Sequence, residues 1–259
     1  MFDPPDYTVV DQEGLARTMF FPRPDWRPPP SGATDHMVQV EDEVGVACRL
    51  YACAPTAPSL LFFHGNGEVV SDYDAVAPLY IAAGINLFVA DYRDYGLSGG
   101  HPTFSSMIAD AHAVARAFHG HLDQGGYRER RFVMGRSLGA HAAVELAAHY
   151  PDHFQGLIIE SGTASITRMV NDLAAAGKAD LAEELERRHI AKLQAIRVPS
   201  LLIHGTWDTL VAIDRAYALY ETLTTPEKRL VPIAGAGHND ILWTRMAEYF
   251  AAIRDLVQP

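Results

Sequence analysis

Ser137 sits at the centre of Gly135-Arg136-Ser137-Leu138-Gly139. The apolar, β-type run Phe132-Val133-Met134 enters this segment, and the helix-forming run 138–148 leaves it. A serine on so sharp a strand-to-helix turn has strained torsions, and the two glycines permit the close approach that the turn demands. The hydroxyl is pushed into the open above a helix N-terminus, which favours developing negative charge. At neutral pH a serine hydroxyl is a poor nucleophile and needs a base, for which histidine is suited. The histidine in turn needs a carboxylate to fix its tautomer and stabilise the imidazolium. Two further loops supply these groups: His204-Gly205-Thr206-Trp207-Asp208 and Gly237-His238-Asn239-Asp240. The expected set is therefore Ser137, Asp208 and His238, in that chain order, and the expected chemistry is attack on a carbonyl carbon.

These side chains meet only if particular elements carry them. Short apolar runs at 60–63, 86–90, 131–134, 157–159, 201–203 and 229–233 read as strands. Helical patterns lie between or after them at 74–83, 105–118, 138–149, 217–223 and 241–257, with Pro78 marking a kink or a late start. Such alternation predicts an α/β fold, a mostly parallel central sheet with helices on both faces. Runs 37–40 and 44–50 predict a hairpin at an antiparallel edge. Ligands gather beyond the carboxyl ends of strands in such sheets. Each of the loops above follows a predicted strand, as do His64-Gly65-Asn66-Gly67 and the segment from Asp91 to Gly96.

A single domain is expected over 1–259, with two embellishments. Residues 1–33 hold Pro22, Pro24, Pro28, Pro29 and Pro30, which forbid a helix and favour an extended strap. Residues 163–195 have no strand signal. Ile166, Met169, Val170 and Leu173, then Leu181, Leu185 and Leu193, follow helical spacing and predict a small helical cap above the strand ends.

Other residues compete for roles. Glu160 follows the strand after Ser137 and is an alternative acid. Asp214 falls too far past its strand, and Asp240 reads as the cap of the helix from Ile241. Arg93 either reads a substrate carboxylate or pins its own loop. His64 and His204 read as supporting hydrogen-bond groups. His119 and His121 have metal-like spacing but no evident carboxylate partner, and Pro151 interrupts the helix that would align His149 with His153. No metal site and no cofactor are expected.

The net charge of −11 argues against nucleic acid or an anionic membrane surface as a partner and leaves a small-molecule or acyl substrate. No apolar run reaches the length of a membrane span, and Met1 to Asp6 does not open like a signal peptide. The two cysteines, Cys48 and Cys53, would lie on opposite faces of a continuous strand, so a reduced, cytoplasmic setting is the simplest expectation. The oligomeric state is not legible.

Nearly end to end, the chain resembles the α/β-hydrolase-fold serine hydrolases, in the branch that includes protein depalmitoylases and serine-aminopeptidase-like proteins. The motifs carrying the resemblance are Met19-Phe20-Phe21-Pro22-Arg23-Pro24, His64-Gly65-Asn66-Gly67, Asp91-Tyr92-Arg93-Asp94-Tyr95-Gly96-Leu97-Ser98, Gly135 to Gly139 and Gly237 to Asp240. Asp94 stands where that branch has glycine. The resemblance, with the expected geometry, implies Ser137 as nucleophile, His238 as base and then acid, and Asp208 as its orienting group. It implies an oxyanion hole from the backbone N–H groups of Leu138 and Asn66. An ester or thioester is the expected substrate. The alternatives are an aminopeptidase on the same three residues, with Glu160 or Glu183 holding a free amino terminus, and a non-catalytic binding protein.

Overall fold

The strands, in chain order, are β1 (Ala33–Glu41), β2 (Val44–Tyr51), β3 (Ser59–Phe63), β4 (Asn86–Ala90), β5 (Arg131–Arg136), β6 (Leu157–Glu160), β7 (Ser200–Gly205) and β8 (Lys228–Ile233). Every residue of β3 and β4 is buried, as befits strands covered on both faces. A computed structural model describes residues 2–11, 19–128 and 130–258 and arranges these strands in one sheet, in the order β1-β2-β4-β3-β5-β6-β7-β8. β1 and β2 form the antiparallel edge, and β3 to β8 run parallel.

The helices are α1 (Thr8–Asp11), α2 (Ala77–Ala82), α3 (Phe104–Gln124), α4 (Ala140–His149), α5 (Thr167–Ala175), α6 (Ala179–Ala195), α7 (Ile213–Thr222), α8 (Ile241–Thr244) and α9 (Met246–Val257). The period-two alternation of the strands feeds two cores. Leu61, Phe63 and Val133 pack with residues of α3 and α4. Leu60, Phe62, Phe132 and Met134 pack with residues of α2 and α9 on the opposite face.

Three local expectations are refined. Pro78 lies in the first turn of α2, so it marks a late start, not a kink. α3 continues past Phe118 because Leu122, one turn on, is also fully buried. The expected 241–257 helix is two helices: Arg245, at φ −143° and ψ 63°, leaves the helical region and donates to the Ala234 carbonyl at 3.2 Å.

Between β6 and β7, α5 and α6 pack on each other, and α6 is anchored on α4, where Lys192 Nζ lies 2.8 Å from Glu145 Oε2. Of the expected strap over 1–33, Met1 and residues 12–18 lie outside the described residues, and α1 gives it one helical turn that was not expected, ahead of the prolines that exclude helix further on. Residues 20–30 have no regular structure and are tied down repeatedly. Arg23 binds Asp72 at 2.6 Å, the Arg27 N–H donates to Ser71 Oγ at 2.9 Å, and Arg49 donates to the Arg27 carbonyl at 2.7 Å. Cys48 is buried in β2, whereas Cys53, beyond its end, is exposed, and both are free thiols.

Candidate active site

β5 delivers Ser137 into a one-turn 3-10 segment, Ser137–Gly139, that runs directly into α4. Ser137 has φ +49°, left-handed backbone that a β-carbon-bearing residue holds at a cost of about 1–3 kcal/mol. The flanking glycines are required by contact: a Cβ on Gly135 would collide with the Gly139 carbonyl, and one on Gly139 with the Phe63 carbonyl. The short-side-chain spacing of the motif thus records backbone packed against backbone.

The three residues singled out from sequence meet. His238 Nε2 is 3.0 Å from Ser137 Oγ, and His238 Nδ1 is 2.7 Å from Asp208 Oδ2. Asp208 is held as an acceptor: its Oδ1 takes the N–H groups of Leu210 at 2.9 Å and Val211 at 2.8 Å. His204 Nε2 donates to the Val211 carbonyl at 2.8 Å and lies 3.2 Å from Asp208 Oδ2, the supporting place expected for it. With Asp208 accepting, Nδ1 of His238 carries the proton and Nε2 turns a lone pair toward the serine hydroxyl. The Asp208 side chain is fully buried, while 9% of the His238 side chain remains exposed. The carboxylate is dry, and the imidazole edge can be reached.

The rival acids have other partners. Glu160 Oε1 lies 3.2 Å from Arg136 Nε, and its Oε2 accepts from the Tyr249 hydroxyl at 2.7 Å. Burial pushes the Glu160 carboxyl up, against the opposing pull of Arg136. Asp214 lies exposed in the first turn of α7. Asp240 does not cap α8 with its side chain as expected; its Oδ1 accepts the Gly237 N–H at 2.6 Å, bracing the turn that carries His238.

Sequence reasoning missed Arg136. It follows Phe132 and Met134 on one face of β5, where a charged side chain must find partners. Those partners are Glu160, Glu68, the His238 carbonyl at 3.1 Å and Asn239 Oδ1 at 2.8 Å. Ser161 Oγ donates to the same His238 carbonyl at 3.1 Å. The imidazole is thus steered from its ring by Asp208 and from its backbone by Arg136 and Ser161. Beneath Arg136 lies a cavity of about 210 Å³ whose polar lining includes Glu68, Asp72 and Glu160.

The loop after β3 is equally fixed. His64, fully buried, places Nε2 3.1 Å from Asp91 Oδ1, and its carbonyl accepts the Tyr92 hydroxyl at 2.6 Å. Asn66 Oδ1 accepts from the Tyr95 hydroxyl at 2.6 Å and from the Phe21 N–H at 2.9 Å, and its Nδ2 donates to the Met19 carbonyl at 2.6 Å. The motif 91–98 is thus a brace for the Asn66 loop. Asp94 has φ +65°, which explains why glycine is usual there and why aspartate, more tolerant of left-handed backbone than most residues, can replace it. Arg93 pins its loop through Asp110 at 2.8 Å and Glu41 at 2.6 Å. The His121 ring packs at a tilt against His36, and His119 accepts from Arg131, so the two are engaged separately and not as a pair of metal donors. Among the described residues, the group with metal-like donor spacing is His112, Glu145 and His149, toward the far end of α4.

A mostly parallel sheet with a left-handed serine between its central strand and the following helix, faced by histidine and aspartate from later strand ends, defines the α/β-hydrolase class. The chain belongs to that family of enzymes: residues 54–192 match the family described as serine aminopeptidase, S33. It is 31% identical over 253 residues to alpha/beta hydrolase domain-containing protein 17B of Homo sapiens, covering 93% of this chain and 83% of that one. The 17C protein of Xenopus tropicalis is 27% identical, with 98% and 85% covered. Among solved structures, a Pyrococcus furiosus esterase superposes with TM-score 0.73 at 18% identity, covering 92% of this chain and 98% of that one. A Paleococcus ferrophilus monoacylglycerol lipase does so with TM-score 0.58 at 18% identity, covering 82% and 98%. Among the described residues no helix is long and apolar enough to cross a membrane.

Proposed function

We propose that this hydrolase cleaves a carboxylic ester or thioester through an acyl-enzyme on Ser137. His238 Nε2 takes the Ser137 proton as Oγ attacks the carbonyl carbon. The N–H groups of Leu138 and Asn66 receive the oxyanion. Collapse breaks the bond to the alcohol or thiol, which leaves with the proton from His238. Water then attacks the acyl-enzyme with His238 as base, releasing the carboxylic acid and restoring Ser137. Asp208 orients the imidazole and stabilises its charged form. Each step uses groups of the protein alone, without a metal or an organic cofactor.

The observation that carries this reading is the continuous relay from Ser137 Oγ through His238 to Asp208, at 3.0 and 2.7 Å. The structural neighbours, an esterase and a lipase, agree with it in class. The peptidase alternative draws support from the family description, but it needs an uncommitted carboxylate for the substrate's amino terminus. Glu160 is engaged by Arg136 and Tyr249, and Glu183 is exposed on α6, which favours the ester reading. In this proposal 163–195 acts as the cap and 1–33 as the strap of a single domain, in a cytoplasmic setting that suits two free thiols.

An active-site fluorophosphonate probe should label the wild type and spare Ser137→Ala; equal labelling of both would overturn the proposal. Hydrolysis rates against acyl-chain length then define the substrate. A long-chain preference indicates a lipophilic cavity under the cap, and an acetyl or butyryl preference indicates a cap that closes the site.

A further inference from the structure

Twelve residues beyond Ser137, about 18 Å along the helix, α4 ends in a second polar cluster unconnected with the relay. Glu145 and His149 lie one turn apart on α4, and His112 faces them from α3. His149 Nδ1 is 2.9 Å and His112 Nε2 is 3.3 Å from the same oxygen, Glu145 Oε1. The three donor atoms all lie within 4.8 Å of one another. Two imidazoles around one carboxylate oxygen is the donor set of a borderline divalent ion such as Zn²⁺. Ligand atoms at about 2.0–2.1 Å from such an ion stand roughly 3.4 Å apart in a tetrahedron, close to the separations here. The two imidazole nitrogens, which lie within 4.8 Å of each other, close in toward Glu145 Oε1 to complete the geometry.

We propose that His112 Nε2, Glu145 Oε1 and His149 Nδ1 form a zinc-class metal site that clamps α3 to α4, with solvent in the fourth position. His149 Nδ1 also lies 3.0 Å from the Glu145 carbonyl, a contact it gives up on binding an ion, and the surroundings support the other two ligands. The Tyr150 hydroxyl, 2.8 Å from His112 Nδ1, can accept the proton that fixes the tautomer presenting Nε2, the outer partner that metal-bound histidines usually have. Glu145 divides its oxygens: Oε2 stays with Lys192 at 2.8 Å, so Oε1 is the one turned to the imidazoles. Glu145 is 4% exposed at its side chain, but His112 and His149 are 22% and 27% exposed, which gives an ion a way in. Phe2 lies edge-to-face on His149, with ring centroids 4.8 Å apart, and forms part of the wall. Binding takes each imidazole in its neutral form, with the proton of His112 on Nδ1 and that of His149 on Nε2; a ring that starts as imidazolium releases one proton to solvent. Lys192 keeps its place beside the site and sets a ceiling on affinity through its positive charge.

The test is calorimetric titration of the full-length protein with zinc chloride at neutral pH, beside the variants His112→Gln, His149→Gln and His238→Gln. The expected result is one equivalent bound by the wild type and by His238→Gln, with affinity falling at least about tenfold in each of the other two. Glutamine keeps a hydrogen-bonding group toward Glu145, and circular dichroism verifies the fold of each variant. A cobalt(II) spectrum of the wild type gives a readout that does not depend on the variants: intense four-coordinate bands are expected. Failure of the wild type to take up zinc, uptake retained by His112→Gln and His149→Gln but lost in His238→Gln, or a weak six-coordinate cobalt spectrum would each overturn the proposal.

Discussion

At its amino end α4 begins beneath Ser137, where three backbone segments touch and only glycine fits; at its other end Glu145 and His149 meet His112 and Lys192 among side chains. The first constellation is assembled by strand ends, the second by helix faces. In the first, main-chain packing and short loops aim a few polar groups at one partly open point. In the second, long side chains from α3, α4 and α6 converge on one buried carboxylate, and the arm adds Tyr7. The Lys192 ammonium donates to Glu145 and also to the Tyr7 hydroxyl at 2.6 Å. That hydroxyl lies 2.8 Å from His189 Nδ1, and His189 Nε2 donates to the Ala164 carbonyl, so the chain of bonds runs in one direction. Burial works against the charge on Glu145, yet the bonds from His112 and His149 and the nearby Lys192 hold its carboxyl below the ordinary range. One end of the helix is therefore organised for chemistry and the other for cohesion.

This contrast is broken or sharpened by substitution. Ser137→Ala should lower kcat by roughly 10⁶-fold while leaving the unfolding curve in place; a parallel loss of stability would mean that the serine also holds the turn. Glu145→Gln should do the reverse. Removing one member of a buried charge pair costs about 3–5 kcal/mol, and the loss would be read by urea unfolding with a chelator present, at near-wild-type kcat in the folded fraction. Arg136→Met belongs to both categories, since Arg136 holds the His238 loop but touches no relay atom. It should lower kcat by up to about 10²-fold through misplacement of the imidazole while fluorophosphonate labelling slows but persists. Unchanged turnover would show that Ser161 and Asp208 position His238 unaided. The smallest effect is expected at Asp94→Gly, which relieves a left-handed φ at an exposed position. A gain of up to about 1 kcal/mol, or 2–4 °C in Tm, is anticipated, and a loss would assign the Asp94 side chain a role in its loop.

Legibility in the sequence follows the same division. Ser137, Asp208 and His238 could be singled out because each stands at the end of a short apolar strand or on the short loop that follows one, and parallel strands of one sheet end on one edge. The strand pattern at 86–90 matches β4 residue for residue. Helix limits were less legible. The polar residues after Phe118 concealed Leu122, and nothing local marks the break at Arg245. Glu160 looked like a rival acid from its position alone, because only the fold shows Arg136 and Tyr249 taking both of its oxygens. His149 was weighed only against its near neighbour His153, a pairing that Pro151 rules out, whereas packing of α3 on α4 brings it beside His112. Contacts between helix faces depend on crossing geometry, which no short window of residues encodes.

The Asn66 side chain takes its remaining bonds from the Met19 carbonyl and the Phe21 N–H, main-chain groups that almost any amino acid supplies. Only proline at position 21 is barred outright. The side chain at 20 is constrained by the core, where Phe20 is buried, but the bonds to Asn66 themselves depend on spacing, and a one-residue insertion or deletion between 19 and 21 would unhook them. At the loop, what the chain must keep is the count of residues more than their side chains.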